Sequence, residues 1–361
     1  MLPEPSFSHL LHLTDSTGVF EHAHGTEPLR QHGYCSDDVA RALVVVLREQ
    51  SRTPELDELE TIYLRFLERA QLPDGRFHNR LSAAPSPRWL DEVGSDDSIG
   101  RALRGLGAAV SHGRTSEVRS RALSCFEAGA DFRSTSPRAN AAAALGAADV
   151  LTVENGNIPA QRLLERASTR LRHVAEGPLR PWPEARLAYD NARLPEGRIA
   201  AGRALGDERL MEDGLGLLSW LVEAETIRGR FSFAPAPEGW APGEPRPGYP
   251  QQPIEAGTMA DACALAFDVT RDVYWAEVGV RAASWFLGAN DLGLSLLDPM
   301  SGGCRDGLEA SGCNENEGAE STLALISTLQ HARRLQAAAR SAATTSEAAT
   351  VAAPTHRSAA P

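Results

Sequence analysis

Polar and apolar positions along this chain repeat on a scale longer than one helix. Six times a short polar segment, usually bearing carboxylates, runs into a stretch rich in Ala, Gly and Leu with helical apolar spacing. Ser36-Asp37-Asp38 leads into VARALVVVL, Ser95-Asp96-Asp97-Ser98 into IGRALRGLG, and Ser136-Pro137-Arg138-Ala139-Asn140 into AAAALGAADVL. Tyr189-Asp190-Asn191 leads into ARLPEGRIAAG, Gln251-Gln252-Pro253-Ile254-Glu255 into AGTMADACALA, and NENEGAE at 314–320 into STLALISTL. The starts lie roughly 40 to 65 residues apart, room for one helix out, a turn, one helix back and a loop. Return helices are predicted over 56–72, 115–132, 159–174, 208–225 and 272–287, each more charged than its partner, as a water-facing outer layer should be. The segment 7–13 supplies a sixth outer member that would close the circle. The pattern predicts an all-α double ring over residues 1–336.

The turns from each small-residue helix to its return partner are short, as at Gly206-Asp207 or Val269-Thr270-Arg271. The loops leading into those helices are long: 17–36, 73–95, 177–188, 228–251 and 289–313. Long loops on one rim mark that rim as the working face, where the six polar segments gather around one pocket. RGRFSFAP around Phe231 predicts a short hairpin. The Ala/Ser/Thr-rich stretch 337–361 reads as a disordered tail.

A net charge of −12 argues against nucleic-acid and anionic-membrane partners, and no apolar run reaches the roughly 18 to 20 residues of a membrane span. The first residues lack the charged and long apolar regions of a secretory signal. Five cysteines without CxxC spacing fit a reducing cytoplasm better than a disulfide framework or zinc site, although Cys304 and Cys313 share a loop. All 36 basic residues are arginine, which removes lysine Schiff-base chemistry, pyridoxal phosphate attachment and a P-loop lysine. No cofactor and no metal is expected.

Asp37 and Asp38 are the sharpest candidates. Either Ser36 or Asp37 caps the helix, yet capping accounts for one acid more easily than two. Asp96 and Asp97 repeat the pattern. Trp182 beside Glu184, close ahead of Tyr189, Asp190 and Asn191, matches a sugar platform, with a buried rim plug as the alternative for Trp182. Gln252 precedes Glu255, and Asp261 further along that helix reads as an interior hydrogen-bonding residue. Asp306, Asn316 and Glu320 lie at the last rim corner, and His22 in the first rim loop. Arg101, Arg193 and Arg305 either pair with rim acids or hold an anionic substrate group. Such a carboxylate set suits glycosidic chemistry, which needs one protonated acid and a second carboxylate.

These residues resemble a group of bacterial six-hairpin, (α/α)6-toroid proteins found beside, or fused to, glycosyltransferases. LTDSTGVFEHAHGTEPLRQHGYCSDDVARAL resembles the group's LTDDTGIFQHA … GYCTDDNARAL, and the likeness continues through SDDSIGRALRGLG, WPEARLAYDNARLPEGRIAAG, QQPIEAGTMADAC, WFLGANDLG, SGGCRDGL and NENEGAESTLALI. It spans roughly residues 10–335. Asp96-Asp97 stands in place of Glu-Asp, and Val39 in place of Asn. The resemblance implies the toroid fold and a carbohydrate setting. It does not extend to a glycosyltransferase label, because the chain has no Rossmann-like nucleotide-sugar domain.

The expected function is glycoside hydrolysis of an oligosaccharide or glycan end, by single displacement. Asp38 and Asp97 are the preferred acid and base, with Asp37, Glu184 and Glu255 as further candidates. A sugar epimerase or isomerase would use rim histidines, and a phosphorylase the arginines. A non-catalytic glycan-binding partner of a glycosyltransferase is the reading from a different class.

Overall fold

The computed structural model describes residues 2–83, 85–172, 181–236, 239–241 and 243–351. Twelve α-helices run through them in the predicted alternation. After α1 (Ser8–His12) come the pairs α2 (Ser36–Arg48) with α3 (Pro54–Ala70), α4 (Asp96–His112) with α5 (Ser116–Gly129), and α6 (Pro137–Val153) with α7 (Ile158–Leu171). Then follow α8 (Arg193–Leu205) with α9 (Glu208–Ala224), α10 (Pro253–Thr270) with α11 (Val273–Phe286), and finally α12 (Ala319–Val351). The even-numbered helices pack side by side from α2 to α12 and back to α2, so the inner ring closes. Each odd-numbered helix lies outside it, with α1 against α12 as the sixth outer member. This is an (α/α)6 toroid.

Small side chains decide which helices go inside. A Cβ on Gly107 of α4 would meet the carbonyl oxygen of Gly146 on α6 at 2.2 Å, and one on Gly146 would meet that of Leu103 at 2.3 Å. The two backbones are in direct contact there. Overpacking a tight core costs about 1–3 kcal/mol. Gly107→Ala is therefore expected to lower stability by at least that much, and an unchanged denaturant midpoint would contradict the close packing.

Start signals differ among the helices, with the inner α4 and α6 capped by Ser95 and Ser136. All of α3, α5, α7, α9 and α11 begin with a side-chain cap, from Thr53, Thr115, Asn157, Asp207 and Asp272. In contrast α2, α8 and α10 have none, and first-turn amides bond to backbone carbonyls instead: Ser36 to Asn79, Arg193 to Asp190 and Glu255 to Gln252. Short two-stranded pairs organise the rim loops. β1 (Ala23–His24) pairs with β2 (Glu27–Pro28), and β3 (Tyr34–Cys35) with β4 (Arg80–Leu81), tying the first rim loop to the second. β5 (Thr226–Ile227) and β6 (Arg230–Phe231) form the predicted hairpin, and β7 (Gly307–Glu309) pairs with β8 (Gly312–Asn314).

α12 is described as far as Val351. Residues 352–361, and 177–180 of the fourth rim loop, lie outside the described residues. No described helix is long and apolar enough to cross a membrane. All five cysteines are free thiols, Cys304 and Cys313 included.

Candidate active site at the rim

Neither Ser36 nor Asp37 caps α2. The N-cap position is Cys35, and the Ser36 hydroxyl donates to the His78 carbonyl at 2.7 Å. Both acids are thereby free for other partners. At α4 the cap is Ser95, which likewise releases Asp96 and Asp97.

Two guanidiniums gather the freed carboxylates. Arg41 donates from Nη1 to Asp38 Oδ1 at 2.8 Å and lies with Nη2 3.0 Å from Glu320 Oε2. Arg101 donates to Asp37 at 3.1 Å and to Asp190 at 3.4 Å. Asp38 is buried, whereas the Glu320 side chain is 45% exposed. Burial pushes the Asp38 carboxyl up to about 7; Arg41 opposes this, and the charges of Glu320, Asp37 and Glu21 reinforce it. At Asp190 burial acts upward too, but Arg193, Arg101, Arg41 and Arg138 outweigh it and hold that carboxyl below its ordinary range. Two carboxyl groups that share one guanidinium, one buried and one open to solvent, are placed for different roles.

Beside this pair, Asp97 accepts from the Ser136 hydroxyl at 2.7 Å and from the Tyr189 hydroxyl at 2.5 Å. The Tyr189 ring is 40% exposed and backed by the Arg138 guanidinium at 4.5 Å. Arg138 also donates to Glu184 at 2.6 Å and to the Tyr189 carbonyl. Glu184 Oε2 is buried with no hydrogen-bond partner.

Several sequence expectations need correction. Trp182 is fully buried, stacked on Trp220 at 5.6 Å with its Nε1 donating to the Arg186 carbonyl, so it is a rim plug and not a platform. Tyr189, further along the same rim segment, keeps an accessible ring. Glu255 is buried and accepts from the Asp190 and Asn191 amides and the Asn191 side chain, bracing the turn that carries Tyr189. Burial, with Glu225 and Asp190 nearby, pushes its carboxyl well up. Asn191 is likewise fully buried and bonded within that turn. Asp306 accepts from the Gly318 amide and the Ser321 hydroxyl at the start of α12, and Asn316 accepts from the Gly25 amide. His22 is exposed, edge-to-face with His32 at 5.1 Å. Gln252 is half-buried; its neighbour Gln251 is the anchor, fully buried and bonded to Phe233, Trp285 and Asp291. The expected acidic, tryptophan-bearing pocket is instead walled by arginine.

That wall continues down the barrel axis. Asp261 accepts from Arg48 at 3.3 Å, Arg104 at 3.2 Å, Arg193 at 3.3 Å, Ser327 at 2.7 Å and His331 at 3.0 Å. Burial alone would raise its carboxyl, but the guanidiniums and the His331 hydrogen bond hold it well below the ordinary range. Asp261 is thus the interior hydrogen-bonding residue expected. Above this plug is a cavity of about 40 Å³ lined by Arg41, Arg101, Arg193 and Glu320, space for a few water molecules but not for a sugar ring. A ring would sit above it, on the rim. No histidine lines this cavity among the described residues. Arg41, Arg48, Arg104 and Arg138 were not singled out in the sequence. Their only signal there is an arginine recurring at helical spacing within otherwise small-residue helices.

Glu21, Cys35 and Asp38 bring one potential metal-ligand atom each within 4.8 Å of one another. All three are engaged: Glu21 bidentately by Arg80, Cys35 donating to Asn79, Asp38 by Arg41. Burial and the neighbouring acids push the Cys35 thiol well up, against the thiolate that a metal requires.

No family model matches the sequence, and no match is found among curated proteins. The fold is similar to several solved structures. A D-mannose isomerase aligns with TM-score 0.66 at 11% identity, over 91% of this chain and 94% of that one. The cellobiose 2-epimerase from Spirochaeta thermophila aligns with TM-score 0.66 at 12% identity, over 91% and 92%. The cellulase Cel9M of C. cellulolyticum aligns with TM-score 0.61 at 8% identity, over 88% and 87%. At these identities the likeness establishes the six-hairpin toroid fold, which this chain shares across nearly the full length of all three.

Proposed function

We propose that the chain is a carbohydrate-active enzyme that hydrolyses a glycosidic bond at the rim, with Asp38 as general acid and Glu320 as general base. The observation that carries this reading is the buried Asp38 carboxyl, raised to about 7 and joined through Arg41 to the half-exposed Glu320. A protonated acid near neutral pH supplies the leaving oxygen with its proton. Glu320 lines the water-sized cavity, where it can activate the attacking water in a single displacement. Glu320 replaces Asp97 as the base because both Asp97 oxygens already hold hydroxyl donors. Asp97 instead fixes Tyr189, whose exposed ring face is the sugar platform. The solved relatives in fold that act on sugars agree with a glycan ligand.

The test is product analysis by mass spectrometry and NMR against a panel of oligosaccharides. Shortened glycans with inverted anomeric configuration are expected, and Glu320→Gln should lose them. Unshortened sugars with altered stereochemistry at C2 would support epimerisation instead. A retained but unaltered glycan would support the binding partner of a glycosyltransferase. Tyr189→Ala should weaken glycan binding about tenfold, about 1.4 kcal/mol, with a smaller effect on kcat. An unchanged KM would remove the platform role.

A further inference from the structure

The larger cavity of this protein is at the other end of the barrel. It measures about 740 Å³ and is formed by the C-terminal halves of the inner helices, separated from the rim by the Asp261 plug. That size falls within the range of small-molecule sites, whereas the rim cavity holds only water. The polar groups of its wall divide into two sets. Arg48 and Arg104 are held by Asp261, Arg104 also by Glu196, and Arg334 by Asp268 at 2.5 Å, while the lining Glu49 pairs with Arg333, so these charges are matched within the protein. Asp149 on α6, Arg203 on α8 and His112 on α4 make no side-chain hydrogen bond or ion pair among the described residues. Asp149 is recessed but keeps accessible surface, and burial pushes its carboxyl up to about 6 against the fields of Arg104, Arg48 and Arg203. The Asp149 oxygens remain open to the cavity, where a ligand hydroxyl can replace water as donor. Leu145, Leu151 and Leu265 supply apolar wall between these groups.

We propose that this opposite-end cavity is a second binding site, for a neutral, hydroxyl-rich ligand of oligosaccharide size. Opposite charges on adjacent helices cancel, so neither a phosphate nor a simple cation meets a net complementary field. Hydroxyl groups suit the pair because each can donate to Asp149 and accept from Arg203, and the leucines offer faces for C–H surface. The proposal is independent of the chemistry assigned to the rim.

The test is isothermal titration of the full chain with cellotriose and mannotriose in turn, and with inorganic phosphate. Wild type and Asp38→Asn should both bind at least one trisaccharide at this site. Leu145→Trp, which fills the cavity, and Asp149→Asn should each weaken that binding tenfold or more. Asp149→Asn also covers the case in which the larger tryptophan disturbs folding, because Asp149 has no partner to lose. The proposal is overturned by the absence of trisaccharide binding, by equal binding in wild type and Asp149→Asn, or by binding of phosphate alone.

Discussion

Asp38→Asn is expected to slow turnover about 10²- to 10⁴-fold, the range for loss of a positioned general acid, while making the folded protein more stable at neutral pH. The two effects have one cause. Burial raises the Asp38 carboxyl to about 7, whereas an unfolded aspartate titrates near 4. A carboxyl raised in the folded state binds its proton more tightly there. Its favourable contribution is therefore intact below about pH 4 and is lost as pH rises towards 7. The amide variant has no proton to lose, so its melting temperature should exceed that of wild type at pH 8 and match it near pH 4. In the wild type, kcat/KM should fall above about pH 7 as Asp38 ionises. A variant that keeps full activity, or is less stable at pH 8, would contradict the assignment.

Asp261→Ala should have the largest effect on stability. Breaking a buried ion pair by removing one partner costs about 3–5 kcal/mol, because the remaining charge is left uncompensated. Here one carboxylate serves three guanidiniums. Arg193 and Arg104 would retain Glu196, but Arg48 would keep only the Ser327 hydroxyl. A fall of several degrees in melting temperature is expected for a chain of this size. The sign with pH is opposite to that at Asp38. The Asp261 carboxyl is depressed in the folded state, so its stabilisation is present above the ordinary carboxylate range and is lost as pH falls through and below it. Thermal melts from pH 4 to 8 on Asp261→Ala and wild type measure both effects. Equal melting temperatures at pH 7 would show that the plug is not structural.

The ring was legible because its signals are local. Each polar segment and the small residues after it lie together in sequence, and loop lengths alone identified the long-loop rim. The partners of the axial arginines were not legible. Arg48 meets Asp261 across 213 positions and Ser327 across 279, contacts that exist only once the ring closes. The burial of Trp182 has a similar origin, since its stacking partner Trp220 comes from α9. Ser36 does not cap its helix because the long-range pairing of β3 with β4 places the His78 carbonyl where it accepts the Ser36 hydroxyl. Glu255 looked like a free acid at a helix start, yet the turn at Asp190, held at φ 50°, folds its amides onto it. Residue type and region thus mark the polar rim positions, while the partners each of them takes up depend on the closed barrel.

The decisive measurement is the titration of the Asp38 carboxyl itself, followed by ¹³C NMR in protein labelled at aspartate side chains, with Asp38→Asn identifying the signal. A midpoint close to 7 is the predicted result and supports a protonated acid at the rim under neutral conditions. A midpoint near 4 would mean that Asp38 is ionised there, an ion-pair partner of Arg41 with no proton to deliver.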